Sequence, residues 1–176
     1  MGESKQREQR ILDAAAELIA HYGYDKTTVD EIAHAAGVSK GAIYLHFKSK
    51  DALFEALLLR DAETIGRRFM ELIDADPDGV TLFNMYRYAL VLLDEAPLLK
   101  AIYTHDRRVL GDWVHRMRDT PTYGQAMNLG TDFVRYAQQT GMIRSDLDPE
   151  AVAYLLRALR FGLLTMEEYT PKEVTP

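Results

Sequence analysis

Between Thr28 and Lys50 the chain is punctuated so closely that only short helices joined by a sharp turn fit the spacing. Thr28-Val-Asp-Glu31 has the form of a capping box: a hydroxyl takes an orphan amide at a helix start while a glutamate reaches back to the cap. A helix over Val29 to Ala36 follows from it. Gly37 is placed to end that helix in the left-handed conformation, Val38 to plug the core, and Ser39 to cap the next helix, which is a turn of about three residues. The next helix runs from Lys40 to about His46, with Ile43 and Phe47 spaced to pin it to a core. Two short helices across such a turn form a helix-turn-helix, the arrangement that sets its second helix into the DNA major groove.

The rest of the chain also reads as helix. Arg10 to Tyr22 places Ile11, Ala15, Leu18 and Tyr22 on one face with Leu12 and Ile19 beside them, and Gly23 stops it. Ser49 caps a long fourth helix reaching to about Asp74, with Leu53, Leu57, Ile65, Phe69 and Leu72 along it. After the turn signal Asp76-Pro-Asp-Gly79, the pattern predicts helices near 80–95, 98–118, 121–140 and 149–168, punctuated by Pro97, Pro121, Gly141 and Pro149. The expectation is an all-α chain: a head over 1–48, and a helical body over 49–176 whose first helix is the connector.

A net charge of −6 argues against nucleic acid only until its distribution is read. Residues 1 to 50 hold seven Lys/Arg and seven Asp/Glu, so the excess lies wholly in the remainder. Val38 to Lys50 carries Lys40, Lys48 and Lys50 and no acid, a basic tip on an acidic body. The chain has no cysteine, which excludes disulfides, thiolate metal sites and cysteine nucleophiles. It also lacks a nucleophile elbow, a P-loop and a dinucleotide glycine motif, so an enzyme is not expected. No apolar run reaches the roughly 18–20 residues of a membrane span, and the N-terminus is polar, so the expected location is the cytoplasm.

On the second helix of the motif, Lys40, Gly41 and Ala42 let a backbone approach base edges, and Lys40 has the chemistry to donate to guanine O6 and N7. Tyr44, His46 and Lys48 suit phosphate. The ordered set Thr27-Thr-Val-Asp-Glu-Ile-Ala and Gly37-Val-Ser-Lys-Gly-Ala-Ile-Tyr-Leu-His-Phe-Lys-Ser-Lys50 resembles the tetracycline-repressor (TetR) family of regulators over about a third of the chain. The resemblance implies an all-helical homodimer with two DNA-reading heads and a C-terminal part that binds a small-molecule effector and pairs the subunits. By position, Lys40, Gly41 and Ala42 would read bases and Thr28, Tyr44, His46 and Lys48 would hold the backbone, with Thr27 and Ser39 in the same DNA-facing set. Leu45 departs from it, standing where many relatives carry a second tyrosine.

The body offers residue types rather than a motif. Tyr86, Tyr103, Trp113, Met117, Tyr123 and Phe133 are the candidate effector lining, with Leu90, Ile102, Met127 and Tyr136 as further apolar choices. His105, Asp106, Asp112 and His115 do not have a metal-ligand spacing, and neither a metal nor another cofactor is expected. Arg107-Arg108, Arg116 and Arg118 suit an anionic effector or plain solvation. Pro149 to Met166 carries two apolar stripes, Val152, Leu155, Leu156, Leu159, Leu163 and Met166 on one, and Ala151, Tyr154, Ala158, Phe161 and Gly162 on the other. The second is the candidate dimer face, the alternative being a helix central to its own subunit. Relatives of the family usually add a final helix, whereas Tyr169 to Pro176 reads as a loop-like tail, which would load the dimer onto Pro149 to Met166. The competing reading is a helical protein-interaction module.

Overall fold

A computed structural model describes residues 2–117 and 121–166, with the backbone alone for residues 114, 117 and 121–129. Its elements in chain order are α1 (Glu3–Tyr22), α2 (Val29–Ala36), α3 (Lys40–His46), α4 (Lys50–Ala75), α5 (Leu82–Asp94), α6 (Pro97–Thr104), α7 (Arg107–Leu110), α8 (Trp113–Met117), α9 (Pro121–Gln139) and α10 (Pro149–Thr165). No strand occurs among the described residues.

The chain packs as two compact units. The first holds residues up to Gly66 together with Ala96–Val114, and the second holds Arg67–Glu95 with the residues from His115 on. In the first, α1 packs on α2, α6 and α7. Ile11, Leu12, Ala15 and Ile19 are buried on α1, while Tyr22, expected on that face, is 56% exposed because the helix ends there. Ile32, Ala33, Ile43 and Phe47 complete the core side of the head, and Leu53, Phe54 and Leu57 of α4 are fully buried. Phe54 meets Trp113 edge to face at 4.7 Å, a geometry that aromatic quadrupoles favour, and packs against the tilted Tyr24 ring at 5.0 Å.

The stretch expected as one helix over 98–118 is three. His105 takes the left-handed conformation (φ 54°) and ends α6, with its amide donating to the Ala101 and Ile102 carbonyls. Asp106 restarts the chain by accepting from the Arg108 amide at 2.8 Å, and Gly111 (φ 55°) ends α7 after one turn. Periodicity alone does not reveal such a corner, because the apolar spacing continues through it. The docking of this corner explains Gly23: a Cβ there would stand 2.5 Å from the Arg108 carbonyl oxygen, and the Tyr24 amide donates to Val109 O at 2.7 Å.

In the second unit, Val134, Ala137, Ile143 and Ala153 form a buried cluster flanked by Leu82, Phe133, Met142, Val152 and Leu156. The face of α10 that turns inward is therefore Ala153, Leu156 and Leu164. Of the stripe expected to be core, Leu155, Leu159, Leu163 and Met166 are exposed instead, as are Tyr154 and Phe161. A residue-to-residue rotation of 100° puts Leu155 and Leu156 on different sides of the boundary, and only packing on α5 and α9 decides which is inside.

Candidate nucleic-acid interface

The capping box forms as its sequence dictates. Thr28 Oγ1 accepts from the Glu31 amide at 3.2 Å, and Glu31 Oε2 accepts from both the Thr28 amide and the Thr28 hydroxyl at 2.8 Å. The donation from the Thr28 amide, and then that from its hydroxyl, hold the Glu31 carboxyl below its ordinary value. Gly37 (φ 65°, ψ 37°) closes α2, and Val38 N–H donates back to Ala33 O at 3.0 Å. Ser39 Oγ then accepts from the Ala42 amide at 3.1 Å, which starts α3. Ile43 and Phe47 face the core, so the opposite side of α3 is left to solvent.

That outward side carries Lys40, Gly41, Tyr44 and Leu45, with Lys48 exposed just beyond and Ala42 partly buried. Nothing inside the protein requires glycine at 41, since a Cβ there would meet only Ser39 Oγ, at an ordinary 3.8 Å. Glycine in a helix costs about 0.5–1 kcal/mol relative to alanine, and no contact within the described residues accounts for it here. Leu45 is 84% exposed, an apolar tip on the same face.

Two expected contacts and one lysine of the basic tip have partners within the protein. Thr27 is only 2% exposed and its hydroxyl donates to Gly23 O at 2.9 Å, which ties it into the turn. His46 is turned toward α1, with Nδ1 3.8 Å from Glu8 Oε2 and a side chain 13% exposed. Lys50, counted in the basic tip, lies over the Tyr24 ring at 4.0 Å and donates to the Tyr24 carbonyl, while the Tyr24 hydroxyl donates to Asp51. Thr28 and Ser39 are exposed, though both hydroxyls already serve as caps.

Sequence reasoning missed Asp30. Its carboxylate accepts from Lys40 Nζ at 2.7 Å, joining α2 to α3 at the exposed tip, and this bond raises the Lys40 pKa. In sequence, Asp30 reads as an ordinary first-turn acid favoured by the helix dipole. Ten residues separate it from Lys40, and only the turn brings them together.

The chain matches the model of the bacterial regulatory proteins of the tetR family over residues 11–57. It is 31% identical over 164 residues to the HTH-type transcriptional repressor Rv1474c of Mycobacterium tuberculosis, a match spanning 90% of this chain and 80% of that protein. The chain belongs to the tetR family. It is a DNA-binding transcriptional regulator, with α2 and α3 as its helix-turn-helix. Among solved structures, GusR of Salmonella enterica is similar with a TM-score of 0.69 and 29% identity, covering 94% of this chain and 85% of that one. A gamma-butyrolactone receptor is similar with a TM-score of 0.61 and 26% identity, over 95% of this chain and 82% of that one.

The described effector candidates of this tetR-family fold are divided between the two units. Trp113 is 4% exposed in the aromatic core of the first unit, and Tyr103 belongs to that unit too. Tyr86 and Phe133 belong to the second. Tyr86 donates its hydroxyl to the Leu156 carbonyl at 3.0 Å, and burial raises its pKa. The side chains of Met117, Tyr123 and Met127 lie outside the described residues. A cavity of about 500 Å³ in the first unit is lined by residues including His21, Asp25, Lys26, Arg107 and Arg108, and Tyr86, Tyr103, Trp113 and Phe133 are not among its described lining residues. No helix among the described residues is long and apolar enough to cross a membrane.

Proposed function

We propose that this regulator is a homodimeric repressor that holds a palindromic operator with two copies of α3 and leaves it when a small, largely apolar effector binds. The functional division proposed is a DNA-reading head over 1–48 and an effector-binding, subunit-pairing part over 49–176. The observation that carries the DNA arm is Gly41, a glycine that nothing within the protein requires, on the exposed side of α3. Lys40, Gly41 and Ala42 read base edges, Tyr44 and Lys48 hold phosphates, and Thr28 and Ser39 contribute through the helix starts they cap. Thr27 drops out, and His46 acts by packing α3 against α1.

For the body, Tyr86 and Phe133 remain the described residues proposed to line the effector site, with Tyr103 a further candidate. The name of the similar gamma-butyrolactone receptor supports a small, weakly polar effector. The exposed apolar side of α10, with Ala151, Tyr154, Ala158 and Phe161 joined by Leu155 and Leu159, is the proposed dimer face. Two heads then meet half-sites about 34–36 Å apart, or a multiple of that. The effector acts by binding more tightly to the state whose heads mismatch this spacing. The chain works in the cytoplasm, where its DNA is, and performs no catalytic step.

Gel-shift titration of the full chain against a library of palindromic duplexes tests the DNA arm. Wild type is expected to prefer particular duplexes, and Lys48→Ala to weaken all of them about equally while lowering the salt slope by about one unit. If wild type shows no duplex preference above a Lys40→Ala, Tyr44→Ala double variant, the reading fails. Mass spectrometry of small molecules extracted from the purified protein identifies the effector, and that compound must then release the duplex.

A further inference from the structure

An acid on a DNA-facing surface demands explanation, because the phosphate backbone repels it. Asp30 stands there with its side chain 66% exposed, and Lys40, itself 51% exposed, bonds it at 2.7 Å. An ion pair this open contributes little to folding, so stability does not account for it. The pair does present a donor and an acceptor side by side. An ammonium has three N–H bonds and a carboxylate about four lone-pair directions, so each partner keeps the other and still has capacity to spare.

The major-groove edge of a G·C pair presents the complement. Guanine O6 accepts, cytosine N4 donates, and the two are hydrogen-bonded to each other, so they lie about 2.9 Å apart. That spacing matches the ion pair. We propose that Lys40 and Asp30 act as one unit that reads a single G·C pair in each half-site, the Lys40 ammonium on guanine and the Asp30 carboxylate accepting from the cytosine amino group. This rests on the DNA-reading role of α3.

The chemistry sets an order of preference. With guanine under Lys40, O6 and N7 are both acceptors on the ammonium's side. A T·A pair with thymine under Lys40 offers O4 to the ammonium and the adenine amino group to the carboxylate, but it sets adenine N7, an acceptor, beside Asp30. Reversing the G·C pair puts donors against the ammonium and an acceptor against the carboxylate, and A·T mismatches the pair in the same sense. Without Lys40, Asp30 is a bare negative charge in the groove. Without Asp30, Lys40 is an unrestrained cation free to take a phosphate.

The experiment selects the preferred palindrome of the full-length wild type from a random library. Every base pair of the half-site is then replaced by the other three, and affinities are read by fluorescence anisotropy at several salt concentrations. At one position wild type is expected to favour G·C at least tenfold over its reversal, with T·A between. Asp30→Ala and Lys40→Ala should each reduce the preference at that same position to within about threefold. Asp30→Ala should also tighten binding to non-operator DNA and steepen the salt slope by about one unit, as freed Lys40 takes a phosphate. The isosteric Asp30→Asn, which keeps an acceptor without the charge, should fall between, and circular dichroism of each variant reports folding. A uniform gain in affinity with the ranking unchanged would overturn the proposal, leaving Asp30 as a charge screen. So would the two substitutions acting at different positions. A wild type with no preferred duplex overturns the DNA-reading role of α3 itself, a failure distinct from either of these.

Discussion

Replacing Gly41 with alanine should move stability and function in opposite directions. The added methyl lies in ordinary contact with Ser39 Oγ at 3.8 Å and meets nothing else, and residue 41 is the second of α3, in helical backbone. Alanine therefore restricts the unfolded chain without straining the folded one, a gain of about 0.4–1 kcal/mol. For a chain in the 150–250 residue range each kcal/mol shifts the melting temperature by about 2–4 °C, so a rise of about 1–4 °C is expected by calorimetry at fixed protein concentration. The same methyl keeps the α3 backbone from the base edges. Loss of one good base contact is worth about 1–3 kcal/mol, so affinity for the preferred duplex should fall about 5- to 150-fold in the anisotropy assay. A lowered melting temperature would mean that the fold does need glycine there. Unchanged affinity would remove Gly41 from the interface and take with it the observation on which the DNA arm chiefly rests.

Phe54→Ala should cost about 3–5 kcal/mol, because a fully buried ring between Trp113 and Tyr24 leaves a cavity. Urea unfolding followed by the fluorescence of Trp113, the chain's single tryptophan, reads it, and a cost below 1 kcal/mol contradicts the core placement of Trp113. Glu31 ties the head to pH. Its carboxyl is depressed in the folded state, so its stabilisation is present above the unfolded value of about 4.3 and is lost as pH falls through the lower folded value. Glu31→Ala should accordingly be less stable than wild type at pH 7 by urea midpoint, and the gap should close in acid; a gap independent of pH rules the capping carboxylate out. On α10, Leu155→Glu adds charge to a side chain that is 65% exposed, so helicity by circular dichroism should be kept while sedimentation shifts from dimer to monomer. A variant that remains dimeric moves the interface off this face.

The head was legible in the sequence because its signals are local. A capping box, a left-handed glycine and a serine cap each act within about four residues, and α2, α3 and the turn between them lie where those signals put them. The Asp76 to Gly79 turn was legible for the same reason, with the Asp78 amide on Asp76 Oδ1 and Gly79 at φ 67°. Residue type also announced the exposed basic and small side of α3, since Ile43 and Phe47 had to face the core.

Only the tertiary structure decided what depends on residues far apart in the chain. In sequence Thr27 and Lys50 look alike as outward donors, but the Thr27 hydroxyl donates to Gly23 O and Lys50 reaches the Tyr24 carbonyl, and Asp30 looks like a routine first-turn acid until α3 brings Lys40 against it. That Trp113 stacks edge to face on Phe54, 59 positions earlier, could not be read from either segment. Which of the adjacent apolar residues of α10 turns inward was settled by Val134, Ala137 and Ile143, not by its own sequence. Local sequence sets backbone geometry over a turn or two, whereas burial and pairing are properties of what packs opposite, and that partner is chosen by the whole chain.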